Sequence, residues 1–190
     1  MKGAWVFVIG AVCGVAVMAL PRIATHLHGA LRGSHGPGTG DTRAHTEEKF
    51  VFTAKSPIQQ VWPLFGADKE RVWSPNWNPH FVHPIPANDE AGMVFTVAHD
   101  HMRSAWVNTQ FDEKNGRIQY VYMIPEALVT VITLQLTAQG EQTRVEVQYN
   151  RTALSPEADA HVKHMADGDR TTGPEWEKEV NDYLAKGGER

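Results

Sequence analysis

The sequence predicts an α+β fold in which one curved antiparallel sheet is covered on its inner face by a C-terminal helix. Three observations predict it. An alternating strand pattern opens the domain at residues 47–56. After two short helical patterns, a run of about five or six antiparallel strands follows, most of it between residues 92 and 153. An amphipathic helical pattern then occupies residues 172–188 and can lie across the sheet.

The N-terminal segment is the clearest change in composition along the chain. Residues 3–20 carry no charged side chain, and as a helix they span about 27 Å, close to the hydrocarbon thickness of a bilayer. The run is longer than the usual core of a signal peptide and lacks a clean cleavage site. Residues 1–22 are therefore predicted to form an uncleaved transmembrane anchor, with a cleaved signal or a buried helix as alternatives.

The next segment predicts a linker. Residues 33–46 contain four glycines and no large apolar side chain, which is typical of a flexible tether. We therefore assign residues 23–46 to a Gly-rich linker and residues 47–187 to the folded domain. Arginines after the apolar run offset Lys2 before it, so the charge pattern does not fix orientation. We expect the folded domain outside the cytoplasm.

Composition narrows the class of function. The 190 residues carry a net charge of −4 without a basic stripe, so nucleic acid is not an expected partner. Cys13 is the only cysteine, which excludes an intramolecular disulfide. No nucleophile elbow or phosphate-binding glycine loop occurs. No cofactor is predicted.

Two short helices are predicted after the first strand. Ser56 is a suitable N-cap, Pro57 suits the first helical position, and Gln59 completes a capping box. Pro63 should kink this helix or end its regular part early. Asp68 can cap a second short helix.

Residues 71–88, RVWSPNWNPHFVHPIPAN, combine four prolines with two tryptophans. So much proline argues against regular structure. The indoles of Trp73 and Trp77 either lie near the mouth of a hydrophobic cavity or pack on the underside of the two helices. Both are candidate ligand contacts.

The strand at residues 92–101 places two histidines on an otherwise apolar row. Met93, Phe95, Val97, His99 and His101 share one face by period-two alternation. Phe95 and Val97 are candidate cavity walls. The two histidines either supply polar anchors or an acid–base group to a ligand site, or mark where the strand leaves the core and meets water.

The strand at residues 142–153 alternates clearly, and its inward row ends in polar groups. Tyr149 on this row is a candidate polar handle for a ligand. Arg151 on the same row either pairs with an acidic ligand group or lies in water at the strand end. Before this strand, Asn115-Gly116 predicts a tight hairpin.

The C-terminal helical region is predicted in two pieces. Ser155 opens the first, and a capping box from Thr172 to Glu175, with Pro174 in the first turn, opens the last helix. Residues 164–176 should therefore break the helix. In the last helix, one apolar face is expected, formed by Trp176, Val180, Tyr183 and Leu184.

Ten histidines raise the question of a metal site. His80 and His83 are three apart, as are His161 and His164, and on a helix the second pair could share a face with Glu157. A metal site needs three or four converging ligands, and no H-E-x-x-H pattern occurs. No metal site is predicted.

Three stretches resemble a known superfamily: FTAKSPIQQVWPLF (52–65), VWSPNWNP (72–79) and TRVEVQYNRTALSPEA (143–158). With the element order, they resemble the helix-grip superfamily of START-related and polyketide cyclase-like proteins, also called SRPBCC. The resemblance spans residues 47–186. It implies a seven-stranded sheet gripping a long C-terminal helix, with a deep cavity that binds lipids, sterols or polyketides.

The leading functional hypothesis is accordingly a membrane-tethered domain that binds a hydrophobic small molecule between sheet and helix. One alternative is a cyclase, dehydratase or hydrolase that uses His99 or His101 as acid or base. Another is an envelope interaction module without a ligand. That alternative predicts a shallow cavity and an exposed apolar patch on the proline-rich loop.

Overall fold

The structure is a computed structural model, and it describes residues 42–99 and 102–187. Seven strands form one antiparallel sheet in the order β1-β7-β6-β5-β4-β3-β2. The strands are β1 His45–Ala54, β2 Pro79–His83, β3 Val94–His99, β4 Met102–Asp112, β5 Arg117–Ile124, β6 Leu128–Gln139 and β7 Gln142–Ala153. The first strand begins at His45, two residues before the predicted start of the domain.

Strand β1 shows how the alternating sequence sets the two faces of the sheet. Phe50 and Phe52 point into the core and are buried, whereas Val51 between them is 44% exposed. Successive side chains of a strand point to opposite faces, so one apolar row suffices to build the inner wall. The inward row predicted for residues 145–151 is buried in the same way.

The first helix after β1 is shorter than predicted and is capped differently. Helix α1 (Ile58–Val61) has Pro57 at its N-cap, and no side chain caps it, so the predicted Ser56–Gln59 capping box was wrong. Pro63 follows the helix at once and the chain tightens into a 3₁₀ turn at Trp62–Phe65. This confirms the predicted early end, because proline cannot donate the next helical hydrogen bond.

The proline-rich segment contains regular structure, contrary to the prediction. Strand β2 (Pro79–His83) pairs only with β3 and forms one edge of the sheet. A proline is compatible with the first residue of an edge strand because its missing N–H removes no ladder hydrogen bond there. Proline content therefore excludes a central strand without excluding an edge strand.

The hairpin between β4 and β5 is longer than the predicted two-residue turn. Residues Glu113–Asn115 form a 3₁₀ turn, in which the Asp112 carboxylate accepts the Asn115 backbone N–H at 3.2 Å. Gly116 closes the turn with φ 65°, a conformation that glycine adopts readily. The hydrogen bond to Asp112 therefore stabilises this longer turn in place of the tight two-residue Asn-Gly turn.

The C-terminal region is one continuous helix, α2 (Asp159–Ala185), of 27 residues with Pro174 inside it. The predicted break at residues 164–176 was wrong. Packing of α2 against β1 outweighs the capping pattern and the proline that predicted a break. Gly173 lies so close to β1 that a Cβ atom on it would be 3.2 Å from Phe50. Trp176 and Val180 are buried against the sheet, which confirms their shared apolar face.

Two sequence predictions concern residues that the structure does not describe. The predicted anchor, residues 1–22, and most of the linker lie outside the described ranges. Within the ranges 42–99 and 102–187, no helix is both long and apolar enough to cross a bilayer.

Candidate functional site

The space between the sheet and α2 is largely filled by aromatic side chains. The resemblance implied a deep cavity, but the cavity found there has a volume of about 10 Å³, enough for one water molecule. A lipid or sterol would need several hundred cubic ångströms. The cavity is lined by Phe65, Glu70, Trp77, Phe95, Trp106, Tyr120, Ile132, Leu134 and Trp176.

Trp73 and Trp77 are both buried, and each indole is bonded to the backbone of the segment that contains the short helices. The indole N–H of Trp73 donates to the Leu64 carbonyl at 2.6 Å, and that of Trp77 donates to the Ala67 carbonyl at 2.6 Å. The Trp77 ring lines the cavity. These hydrogen bonds hold both rings in place, since a buried indole N–H needs an acceptor.

Glu70 is a functional candidate that sequence reasoning missed. It lies in the 3₁₀ turn Lys69–Val72, is only 4% exposed and lines the cavity. Its Oε1 atom has no hydrogen-bond partner among the described residues. Burial raises the pKa of this carboxyl well above its usual range, and the charges of Asp89 and Glu179 raise it further.

The local sequence around Glu70 gave no sign of its burial. Neighbours Lys69 and Arg71 are charged, so the stretch looks like a solvated surface turn. The available signal was spacing: Glu70 precedes Trp73 by three residues, which places both on one side of a turn with three residues per turn. Charged residues are almost never fully buried, so the spacing alone would not have outweighed composition.

Trp176 and Tyr120 add polar atoms to the same aromatic chamber. The Trp176 Nε1 atom is buried without a hydrogen-bond partner in the described part of the chain. The Tyr120 hydroxyl donates to the Phe65 carbonyl at 3.0 Å, and burial raises the pKa of Tyr120 well above its usual value. The chamber therefore contains a protonated tyrosine hydroxyl, a carboxyl whose pKa is raised by burial and an indole donor.

The aromatic walls of the chamber form two sets of ring contacts, one on the sheet side and one on the helix side. Phe95 stacks on Trp106 with ring centroids 5.5 Å apart, and Trp77 meets both rings edge-on. On the helix side, Trp176 lies 5.5 Å from Trp73 and 6.3 Å from Phe65. Such a chamber can hold a flat ring by stacking or a cation against the ring faces.

The predicted residues on β3 fall into two groups. Phe95 and Val97 are buried on the inner face, and Phe95 lines the cavity. His99 is the last residue of β3, where its backbone pairs with Met102. The His99 side chain and the whole of His101 lie outside the described residues, so their predicted roles stay predictions.

Tyr149 and Arg151 form a separate buried site between β7 and α2. Arg151 Nη2 donates to Asp169 Oδ1 at 2.9 Å, and its guanidinium lies 4.4 Å from the centre of the Tyr149 ring. Burial, which outweighs the nearby guanidinium, raises the pKa of Asp169 to about 6. The structure therefore pairs Arg151 with an internal carboxylate, not with water at the strand end.

The histidine pairs do not converge with other metal ligands. Across residues 42–99 and 102–187, no group of three histidine, cysteine, aspartate or glutamate side chains could hold a metal ion. Burial lowers the pKa of His161, and His164 and Arg151 lower it further. His161 is thus a neutral, half-buried side chain of α2.

The proline-rich loop carries exposed apolar residues. Val82 and Ile85 are more than half exposed, and the peptide bonds before Pro84 and Pro86 are cis. A small cavity together with this loop is what the interaction-module alternative predicts.

Comparison with known proteins identifies the fold. No protein-family model matches the sequence, and no curated protein matches it. Norcoclaurine synthase from Thalictrum flavum, in complex with dopamine and hydroxybenzaldehyde, aligns with a TM-score of 0.59 and 9% identity over 86% of this chain and 100% of that one. Ara h 8.0201 aligns with a TM-score of 0.53 and 13% identity over 75% and 99%.

A protein from Rhizobium loti gives a similar result, with a TM-score of 0.53 and 18% identity over 73% of this chain and 99% of that one. At these identities the likeness concerns the fold, and function has to be argued from the site itself. The alignments cover nearly the whole length of these proteins, and on this side they comprise a seven-stranded antiparallel sheet and one long C-terminal helix. The described part of this chain therefore has the helix-grip fold.

Proposed function

We propose that the domain binds a small aromatic molecule bearing an amine or hydroxyl group, held between the sheet and α2 beside Glu70. One observation carries the proposal: Glu70 Oε1 and Trp176 Nε1 are buried polar atoms that have no hydrogen-bond partner among residues 42–99 and 102–187, and both residues line the same cavity. A buried polar group left unpaired costs about 1–3 kcal/mol. A ligand that bonds both atoms would remove this cost.

The chemistry of the chamber favours an aromatic amine or phenol over a lipid. Its walls are ring faces, which stack with a flat ring and attract a cation. Glu70 can donate a hydrogen bond when protonated and attract an ammonium group when ionised. A long alkyl chain would use neither property. The bound dopamine and hydroxybenzaldehyde of the norcoclaurine synthase structure are molecules of the proposed class.

Ligand entry requires one wall of the chamber to move, because the present cavity holds only one water. An outer hollow of about 150 Å³ is lined by Trp73, Glu179 and Tyr183, among others. The Trp73 ring lines this hollow, lies 5.5 Å from the Trp176 ring and is held by its hydrogen bond to the Leu64 carbonyl. The Trp176 indole N–H has no hydrogen-bond partner in the part of the chain that the structure describes, so the ring can turn without breaking such a bond, and we propose that it is the moving wall.

Dopamine binding tests this proposal. We expect saturable binding by calorimetry, and we expect Glu70→Gln to weaken it at least 10-fold, since a hydrogen bond to a charged group contributes about 1.5–3 kcal/mol. The ammonium requires ionised Glu70, whose pKa is raised. Affinity should therefore increase as the pH rises and Glu70 becomes ionised. Hydroxybenzaldehyde has no ammonium group, so its affinity should depend less on the Glu70→Gln change and less on pH.

The control is Glu157→Gln, which makes the same change at an exposed site and should bind dopamine like the unmodified protein. Glutamine matches glutamate in shape, so the fold of Glu70→Gln should be retained, as checked by circular dichroism. Absence of saturable binding for both probes up to millimolar concentration would rule out the proposed ligand class. Equal affinity of Glu70→Gln would rule out the proposed anchor.

A catalytic role of the same chamber is the second candidate function. A buried carboxyl with a raised pKa is suited to act as a general acid toward a bound substrate. Dopamine and hydroxybenzaldehyde supplied together, with product formation followed by chromatography, would show turnover if it occurs. Loss of turnover in Glu70→Gln would identify Glu70 as the acid, whereas loss in His99→Ala or His101→Ala would favour the histidines.

We also propose that residues 3–20 anchor the domain to a membrane, because they form an uncharged run of bilayer-spanning length. The full chain should stay in the membrane pellet after carbonate extraction. Deletion of residues 1–22 should move it to the supernatant. Equal release of both forms would contradict the anchor, and cleavage of the first 20 residues in the mature protein would indicate a signal peptide.

A further inference from the structure

The segment that leads into Glu70 is held from the chamber side by three hydrogen bonds to its backbone carbonyls. The donors are the side chains of Trp73, Tyr120 and Trp77, and the acceptors are the carbonyls of Leu64, Phe65 and Ala67, in that order. These bonds use the carbonyl groups of the segment. Its backbone N–H groups need acceptors of their own, because buried backbone donors are almost always paired.

Asp89 supplies an acceptor on the outer side of the same segment. Its Oδ1 atom accepts the Asp68 backbone N–H at 3.2 Å, across 21 positions of the chain. Burial raises the pKa of Asp89, whereas hydrogen bonding from the backbone at Asp68, Ala67 and Lys69 lowers it. Hydrogen bonds to a carboxylate are about twice as strong as neutral ones. Asp89 therefore ties the end of the proline-rich stretch to the residues just before Glu70.

Gly66 leaves the space in which the Asp89 carboxylate lies. Its backbone angles, φ −74° and ψ 145°, are open to any residue, but a Cβ atom on Gly66 would overlap the carboxylate. Glycine is needed here for the close approach of Asp89. The Glu70 backbone N–H donates to the Gly66 carbonyl at 2.9 Å. The contact between Gly66 and Asp89 is therefore one hydrogen bond away from Glu70.

Asp89 also acts on Glu70 through its charge. The titratable and charged groups around Glu70 are Asp89 in the loop after β2, Glu179 on α2, Tyr120 on β5, and Asp68, Lys69 and Arg71 on its own segment. Burial raises the pKa of Glu70 most, and the charges of Asp89 and then Glu179 raise it further. Asp89 lines an outer hollow of about 270 Å³ and is less buried than Glu70, so solvent reaches it more readily.

We propose that Asp89 is the positioning residue of the Glu70 site: it holds the Glu70 turn against the chamber, and its charge sets the pH range over which the chamber takes up an amine. A nearby negative charge disfavours ionisation of a second carboxyl. A charged Asp89 therefore moves the ionisation of Glu70, and with it the binding of an ammonium group, to higher pH. The inference rests on the amine-binding function proposed above.

The ionisation of Glu70 tests the effect of the Asp89 charge without any ligand. It is followed by carbon NMR of the detergent-solubilised full chain, labelled at the glutamate carboxyls and with the Glu70 signal identified by Glu70→Gln. Asp89→Asn removes the charge and keeps an oxygen that can accept the Asp68 N–H. We expect it to move the Glu70 titration to lower pH. Glu90→Gln is the matched control at the next, exposed position and should leave the titration unchanged.

The pH profile of dopamine binding provides the functional readout. Below the pH at which Glu70 is half ionised in the unmodified full chain, Asp89→Asn should bind dopamine at least about 3-fold more tightly, because more Glu70 is ionised. A residue with a structural role alone would weaken binding at every pH when replaced. Weaker binding of Asp89→Asn at every pH, or equal Glu70 titrations of Asp89→Asn and Glu90→Gln, would overturn the proposal.

Gly66→Ala tests the holding role, because its methyl group displaces the Asp89 carboxylate and alters no charge. We expect dopamine affinity to fall at least about 10-fold at a pH where Glu70 is ionised, since its carboxylate is then misplaced. Gly168→Ala is the matched control, because a Cβ atom on Gly168 meets open space. Circular dichroism checks the fold of each variant. Equal affinity of Gly66→Ala and Gly168→Ala would overturn the holding role.

Failure of this inference is distinguishable from failure of the proposed function. If dopamine binds to no sample, including the unmodified chain, the proposed ligand class is wrong. The Glu70 titration is measured without ligand and still decides whether the charge of Asp89 controls Glu70.

Discussion

Trp176→Ala is expected to lower the free energy of unfolding by about 3–5 kcal/mol, the range for removing a buried tryptophan from a packed core. The Trp176 side chain is almost completely buried and its ring lies 5.2 Å from Phe50, 5.5 Å from Trp73 and 6.3 Å from Phe65. It joins α2 to β1 and to the short helices. Its removal leaves a void that three rigid elements cannot close easily.

Urea unfolding followed by circular dichroism measures this loss. Trp176→Phe is the matched variant, because it keeps one aromatic ring and removes the second ring together with the indole N–H, which has no hydrogen-bond partner among the described residues. We expect it to cost about 1–2 kcal/mol, within the range for volume-reducing core changes. Indole should raise the melting temperature of Trp176→Ala by refilling the void. A loss below about 1 kcal/mol for Trp176→Ala would mean that the chamber collapses around the missing ring.

Arg151→Met is expected to destabilise the fold by about 3 kcal/mol at pH 8, because it leaves the buried Asp169 carboxylate without its cation. At pH 5 the loss should fall to about 1 kcal/mol, the lost packing of the arginine stem. The difference arises because the pKa of Asp169 is about 6 in the folded protein. At pH 5 the carboxyl is mostly protonated and needs no cation.

The sign of the underlying pH dependence follows from the same pKa. The pKa of Asp169 is about 6 in the folded protein and near the ordinary aspartate value of 3.8 in the unfolded chain, so its contribution to stability is complete below pH 4 and is lost as pH rises through 6. Urea unfolding at pH 5 and pH 8 measures both effects. Asp169→Leu combined with Arg151→Met should recover most of the loss at pH 8. An equal loss at both pH values for Arg151→Met would assign the effect to packing alone.

The sequence by itself predicted the parts of the fold that depend on local patterns. Period-two alternation identified the buried rows of β1, β3 and β7, because neighbouring side chains of a strand must point to opposite faces. Pro63 ended α1 where proline chemistry requires it. The apolar face of Trp176 and Val180 followed from helical spacing. Each of these features involves residues within a few positions of one another.

Tertiary structure alone decided the volume of the chamber, the burial of Glu70, the partner of Arg151 and the continuity of α2. The chamber is filled because rings from β3, β4, β5, α2 and the short helices meet in it, and their combined volume cannot be read from one strand. Glu70 lies in a charged stretch and is buried by distant residues, and Arg151 pairs across 18 positions. Helix α2 runs through Pro174 because packing against Phe50 outweighs one missing hydrogen bond.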